Sequence, residues 1–229
     1  MFNINKISVQ KTTDISIFIQ AIALISSTLG IFFKLPKEHQ IINKLLIMET
    51  IVQFIEFIFY ITFLTELSKT VTGMAKTRYY DWVITTPTMH LTTIIYLDYL
   101  NRIENKLEPI GFIDFIKTNM KNIRIIFIAN FLMLLSGYLY EIGKLSKKNA
   151  TILGYIFFLI VFGTIYNEYA KHTEFGRKLF YALFIIWGSY GIAFLFEDNA
   201  KNNIINFLDL FAKNFFGIYL FFVAYKNSI

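Results

Sequence analysis

Phe207-Leu208-Asp209-Leu210-Phe211-Ala212-Lys213-Asn214-Phe215-Phe216-Gly217 is the stretch whose chemistry decides the fold. It sits inside the apolar block Asn202–Tyr225, which is long enough to cross a hydrocarbon core as a helix. A bare lysine at that depth costs several kcal/mol, and this far from either end it cannot reach the headgroups. Lys213 is therefore either paired with a charge or converted into something else. Asp209 lies one turn earlier on the same face.

Outward from this stretch, six more apolar blocks follow the same pattern, at about Ile15–Phe33, Ile41–Leu67, Tyr79–Tyr99, Ile123–Tyr140, Ala150–Tyr169 and Phe175–Phe196. They are continuously apolar instead of alternating, which indicates helices and not a barrel. The 229 residues are 55% hydrophobic and only 17% charged, with a mean hydropathy of +0.52. A soluble domain would carry roughly a quarter charged residues. The expectation is an all-α membrane protein, one seven-helix domain over residues 1–229 and multi-pass in a lipid bilayer. Residues 1–14 are polar and lack the apolar core of a signal peptide, so the first block is expected to remain as a helix.

With no cysteine, disulfides and thiolate metal sites are excluded, and no metal site is expected. The net charge of +6 is read as basic loops facing anionic lipid, not as a nucleic-acid surface. Counting Lys and Arg outside the blocks gives twelve on the C-terminal side of the bundle and nine on the N-terminal side. The positive-inside rule then places the N-terminus outside and the C-terminus in the cytoplasm. The long connection Asn101–Asn122 carries Ile110, Phe112, Ile113, Phe115 and Ile116 among Asp114 and Lys117, as a short surface helix or an amphipathic loop would.

The third block holds a second buried acid, Asp81. Two aspartates and one lysine fit either a structural ion pair between helices or a lysine that bears a protonated imine. The surrounding residues distinguish the two. Arg78-Tyr79-Tyr80-Asp81-Trp82-Val83-Ile84-Thr85-Thr86-Pro87 resembles the third-helix motif of the microbial rhodopsins, and Asp209-x-x-x-Lys213 is similar to their seventh-helix motif. Trp187-Gly188-Ser189-Tyr190 resembles the sixth-helix pair that flanks the polyene, with Gly191 and Phe194 standing where the family has proline and a second tryptophan.

The resemblance implies all-trans retinal on Lys213 as a Schiff base, with Asp81 and Asp209 as counterions supported by Arg78 and Thr85. It implies a pocket of Trp82, Thr86, Asn130, Met133, Gly137, Trp187, Tyr190 and Phe194. Thr86 and Asn130 would link the third and fourth helices. Such a protein is a photoreceptor and ion transporter, not an enzyme.

Outward proton pumps of the family carry a carboxylic donor eleven residues after the first counterion; here that position is Thr92, and His90 nearby is read as a packing residue. In the second block, Glu49, Gln53 and Glu56, continued by Tyr60 and Phe63, recur at spacings of three and four on one face. That stripe fits a water-lined cation path, joined by Ser16 and Asn214. It equally fits Glu49 at headgroup level and Glu56 in one protonated interhelical bond. A glutamate-bearing second helix and a donorless third helix look most like the group 1 viral rhodopsins. That resemblance implies a light-gated channel for monovalent cations, inhibited by calcium, in a host cell membrane. A donorless outward proton pump and a sensory rhodopsin are the alternatives, and a small homo-oligomer fits the family habit. Glu197-Asp198 is read as a solvated turn, and Glu66 and Glu141 as interfacial.

Overall fold

The computed structural model describes residues 9–67 and 74–229; Lys6, Lys69 and the Glu66 side chain, counted above, lie outside the described parts. Its helices are α1 (Val9–Gly30), α2 (Ile41–Leu67), α3 (Met74–Glu104), α4 (Phe112–Thr118), α5 (Met120–Glu141), α6 (Lys147–Glu168), α7 (Glu174–Ala193), α8 (Asp198–Asp209) and α9 (Phe215–Lys226). A five-residue π-turn, Leu210–Asn214, joins α8 to α9 into one last segment. Seven antiparallel segments thus make an all-α membrane bundle, and the described residues contain no strand. The third segment begins five residues earlier and ends five later than the sequence suggests, and the last begins at Asp198 instead of Asn202. Polar helix ends carry no hydropathy signal.

Five segments are long and apolar enough to span on composition alone. The other two are polar for a reason: α3 carries Arg78, Asp81 and His90 inward, and α7 opens on Glu174, Arg177 and Lys178. α1 shows how the bundle is turned. Ile15, Phe18, Ile22, Ile25 and Leu29 are exposed, while Thr13, Ser16, Gln20, Ala23, Ser27 and Gly30 are buried, at steps of three and four. Apolar residues face lipid and polar ones face the interior, because lipid tails solvate leucine as well as a protein core does.

α1 packs on α2 and α9, α2 on α3, α3 on α5, and α5 on α6. The surface helix expected in the long connection is α4, with Phe115 buried and Ile113 exposed. Gly143, at φ +72, ends α5 in the left-handed conformation that a tight reversal into α6 requires. The largest apolar cluster fills the C-terminal half of the bundle, where Tyr96 stacks beside Leu45, Leu46, Ile94 and Leu220, and its hydroxyl meets that of Tyr219 at 2.5 Å.

Candidate functional site: a buried lysine at the end of an apolar cavity

Lys213 lies in the π-turn, where the wider winding leaves backbone groups to be satisfied by side chains. The Asn214 amide does this, reaching back to the Asp209 carbonyl at 3.4 Å. Lys213 is 2% exposed, and its Nζ donates to Asp81 Oδ2 at 2.9 Å. Nζ also lies 3.3 Å from Glu56 Oε1 and 3.7 Å from Asp209 Oδ1. The lysine and both aspartates singled out by sequence meet at one point, and Glu56 from α2 joins them.

Asp209 is the most heavily ligated acid. Tyr60 donates to its Oδ2 at 2.5 Å, Tyr190 to its Oδ1 at 2.7 Å, and Arg78 Nη1 to Oδ2 at 3.2 Å. Arg78 is itself fully enclosed, held by the Asn202 and Asn206 side chains and lying over the Phe63 and Tyr60 rings at 5.0 and 5.4 Å. Its charge is thus paired and hydrogen-bonded, the condition under which a buried cation persists. Asp81, by contrast, has one carboxylate oxygen with no protein partner.

Three contacts show partners that the sequence leaves open. The Thr85 hydroxyl donates to the Asp81 backbone carbonyl at 3.1 Å, not to the carboxylate. Arg78 pairs with Asp209 and not with Asp81. Ser16 donates to the Asn206 carbonyl at 3.2 Å, on the N-terminal side of the site. Thr85 and Thr86 bind the carbonyls four residues back, the ordinary local bond of a hydroxyl inside an apolar helix.

From Lys213 an apolar cavity of about 130 Å³ opens between α3, α5, α6 and α7, about ten times what one water needs. Trp82, Thr86, Met133, Gly137, Trp187, Tyr190 and Phe194 line it. Asn130 stands behind this wall: it donates to Thr86 Oγ1 at 2.8 Å and meets His90 Nε2 at 3.2 Å. His90 lies 4.5 Å from the Trp187 ring, a packing residue as read. Met89, Tyr155, Phe158 and Ala212 also line the cavity and escaped the sequence reading, since nothing separates them from other apolar residues on their helices. At Gly137 and Gly191, any β-carbon would run into the Tyr79 and Tyr155 rings, so both walls need glycine. An apolar, aromatic-sided cavity that reaches the Lys213 amine beside a carboxylate fits a linear apolar aldehyde such as retinal.

A family model described as bacteriorhodopsin-like protein matches residues 11–227. The chain belongs to that family. Its multi-pass membrane setting follows from the family and from the apolar helices. Among solved structures, the viral rhodopsin OLPVRII is similar at 25% identity and TM-score 0.82, over 95% of this chain and 98% of that one. This rhodopsin therefore resembles the viral rhodopsins. A blue light-absorbing proteorhodopsin from Med12 (18%, TM-score 0.73, 95% and 97% covered) shares the fold. So does halorhodopsin, described as a light-driven chloride pump (16%, 0.67, 95% and 95%). A search of the curated proteins finds no match.

On the C-terminal side of Lys213, Thr92 is not an isolated hydroxyl. It donates to Glu49 Oε1 at 2.6 Å, so α2 brings a fully buried carboxyl to the α3 position that sequence marks as lacking one. Glu49 is enclosed by protein on all sides. Gln53 accepts from Ser27 at 2.6 Å, and its amide nitrogen presses against Gly217. Glu141, read as interfacial, pairs with Lys201 at 3.0 Å, and Lys201, counted above with the loop charges, is 4% exposed.

Proposed function

We propose that this rhodopsin binds all-trans retinal on Lys213 and acts as a light-gated channel for monovalent cations and protons, as the group 1 viral rhodopsins do. One observation carries the reading. Among the described residues, every buried polar side-chain atom without a protein partner belongs to Gln20, Glu49, Thr50, Gln53, Glu56, Asp81 or Asn214. All lie on α1, α2, α3 or the π-turn, and none on α5, α6 or α7. Buried polar atoms are satisfied by protein or by water, and in a bilayer such a row faces a water-lined interior. Glu49, Gln53, Glu56 and Asn214 form this seam, continued toward the N-terminal face by Ser16, Asn206, Thr12 and Thr13.

The seam is closed at both ends in this conformation. Arg78 between Tyr60, Phe63 and Asp209 blocks one side, and the Tyr96–Tyr219 pair within the apolar cluster blocks the other. Bound retinal would supply light absorption and an isomerisation that alters the setting of the Lys213 nitrogen. Asp81, with its unpartnered Oδ1, is the acid that takes the proton, while Asp209, held by two tyrosines and Arg78, serves as second counterion. Thr85 fixes the Asp81 backbone. Trp82, Thr86, Met133, Gly137, Trp187, Tyr190 and Phe194 hold the polyene, with Asn130 bracing Thr86.

Removing the two buried cations Arg78 and Lys201 from the basic count leaves twelve against seven, which strengthens the N-outside orientation. Calcium inhibition, a host cell membrane and a small homo-oligomer complete the proposal on family likeness alone. A second reading, an outward proton pump, is favoured by the Thr92–Glu49 contact, because Glu49 is a resident acid on the cytoplasmic side of Lys213. Whole-cell photocurrents separate the two. Currents that reverse with voltage and with sodium, potassium or proton gradients support the channel, and current of one sign at all voltages overturns it.

A further inference from the structure

The cavity that begins at Lys213 does not stop where its aromatic walls end. It continues toward the N-terminal face between the ends of α3, α5, α6 and α8, where Ala75, Ala150 and Thr151 line it together with Glu141 and Lys201. Lys201 and Lys213 are about 18 Å apart along the last segment. The far arm is walled by small side chains and roofed by charges. Lys201 Nζ bridges Glu141 Oε1 and Asp198 Oδ1, each at 3.0 Å, and so ties the end of α5 to the start of α8. Below the roof the side chains are sequestered: Ala75, Ala150 and Lys201 are each no more than 5% exposed. Asp198 is half exposed, so the roof has one wet edge.

Such an arm is not needed to attach a chromophore, and an ion pair facing an apolar cavity is an expensive way to join two helices if joining is its only task. A passage with small residues in its wall, closed by a polar latch at the membrane–water boundary, suits the entry of an apolar aldehyde. We propose that this arm is the port through which retinal reaches Lys213, with Lys201–Glu141–Asp198 as its latch. The proposal rests on the retinal reading and is independent of whether the protein conducts or pumps. Loading joins the aldehyde carbon to the Lys213 nitrogen and releases the aldehyde oxygen as water. Hydroxylamine reverses it by carrying that carbon away as an oxime.

The test uses full-length protein made without retinal, with two rates measured in the dark. One is growth of the visible band after adding all-trans retinal; the other is its loss to hydroxylamine. Glu141→Gln and Lys201→Met are expected to speed both, by up to about fivefold, the upper end for a partly exposed ion pair. Thr151→Trp, which narrows the arm and leaves the latch intact, is expected to slow both. Lys178→Ala breaks the exposed Lys178–Glu174 pair at the opposite face and is expected to change neither. Coloured protein whose two rates are the same in the latch and Thr151→Trp variants as in wild type overturns the port. Wild type that stays colourless overturns the retinal reading itself, and the port with it. Should a latch variant fail to fold, Thr151→Trp decides alone: slowing supports the port and an unchanged rate refutes it.

Discussion

Tyr60 provides the sharpest test of the site, because no motif marks it and the structure ties it to the central acid. Its hydroxyl donates to Asp209 Oδ2 at 2.5 Å and accepts from Arg78 Nη1 at 3.2 Å, with both partners enclosed. Tyr60→Phe removes the hydroxyl and keeps the ring over which Arg78 lies. Hydrogen bonds between membrane helices average about 0.6 kcal/mol and reach about 1.7, whereas bonds to a charged group in water-soluble proteins give about 1.5–3. A short bond to a buried carboxylate belongs where these ranges meet, so the expected loss is about 1.5 kcal/mol. For a chain of this size that lowers the melting temperature by about 3–6 °C. The assay is thermal loss of the visible band in detergent, run as a double-mutant cycle with Asp209→Asn. The coupling should be about 1 kcal/mol, below the full loss because the amide oxygen left by Asp209→Asn still accepts from Tyr60, more weakly than a carboxylate. If the two substitutions add within about 0.5 kcal/mol, as independent sites do, Tyr60 is not energetically tied to Asp209 and the described network is wrong.

Lys213→Ala should abolish the visible band while helix content by circular dichroism stays at the wild-type level. Asp81→Asn should shift the band to the red, read by absorption spectra of wild type and variant side by side. Gly217→Ala places a carbon on the Gln53 amide and should destabilise by about 1–3 kcal/mol through overpacking; adding Gln53→Ala should restore most of the loss in the same melting assay. Glu56→Gln should leave colour formation intact and change the ratio of sodium to proton permeability in photocurrents, an outcome that an acid of purely structural role would not produce.

The sequence by itself determined the membrane bundle, since blocks of bilayer length need no tertiary knowledge. It also determined the lysine and its two aspartates, because a buried amine demands an answering charge and motif spacing says where that charge lies. Pocket residues were legible where the family motifs cover them, Met133 and Gly137 as well as Trp82 and Trp187. Met89, Tyr155 and Phe158 were not, because an apolar residue facing a cavity reads like one facing lipid. Only the tertiary structure decided which acid each cation meets: Arg78 goes to Asp209, Thr85 turns to its own helix backbone, and Tyr60 joins from α2. Only it could place Glu49 beside Thr92 and Lys201 beside Glu141. Helical period fixes the face a side chain occupies, but partners on different helices are set by the register and rotation of whole segments against one another. That information lies in packing summed over many residues and in no single motif.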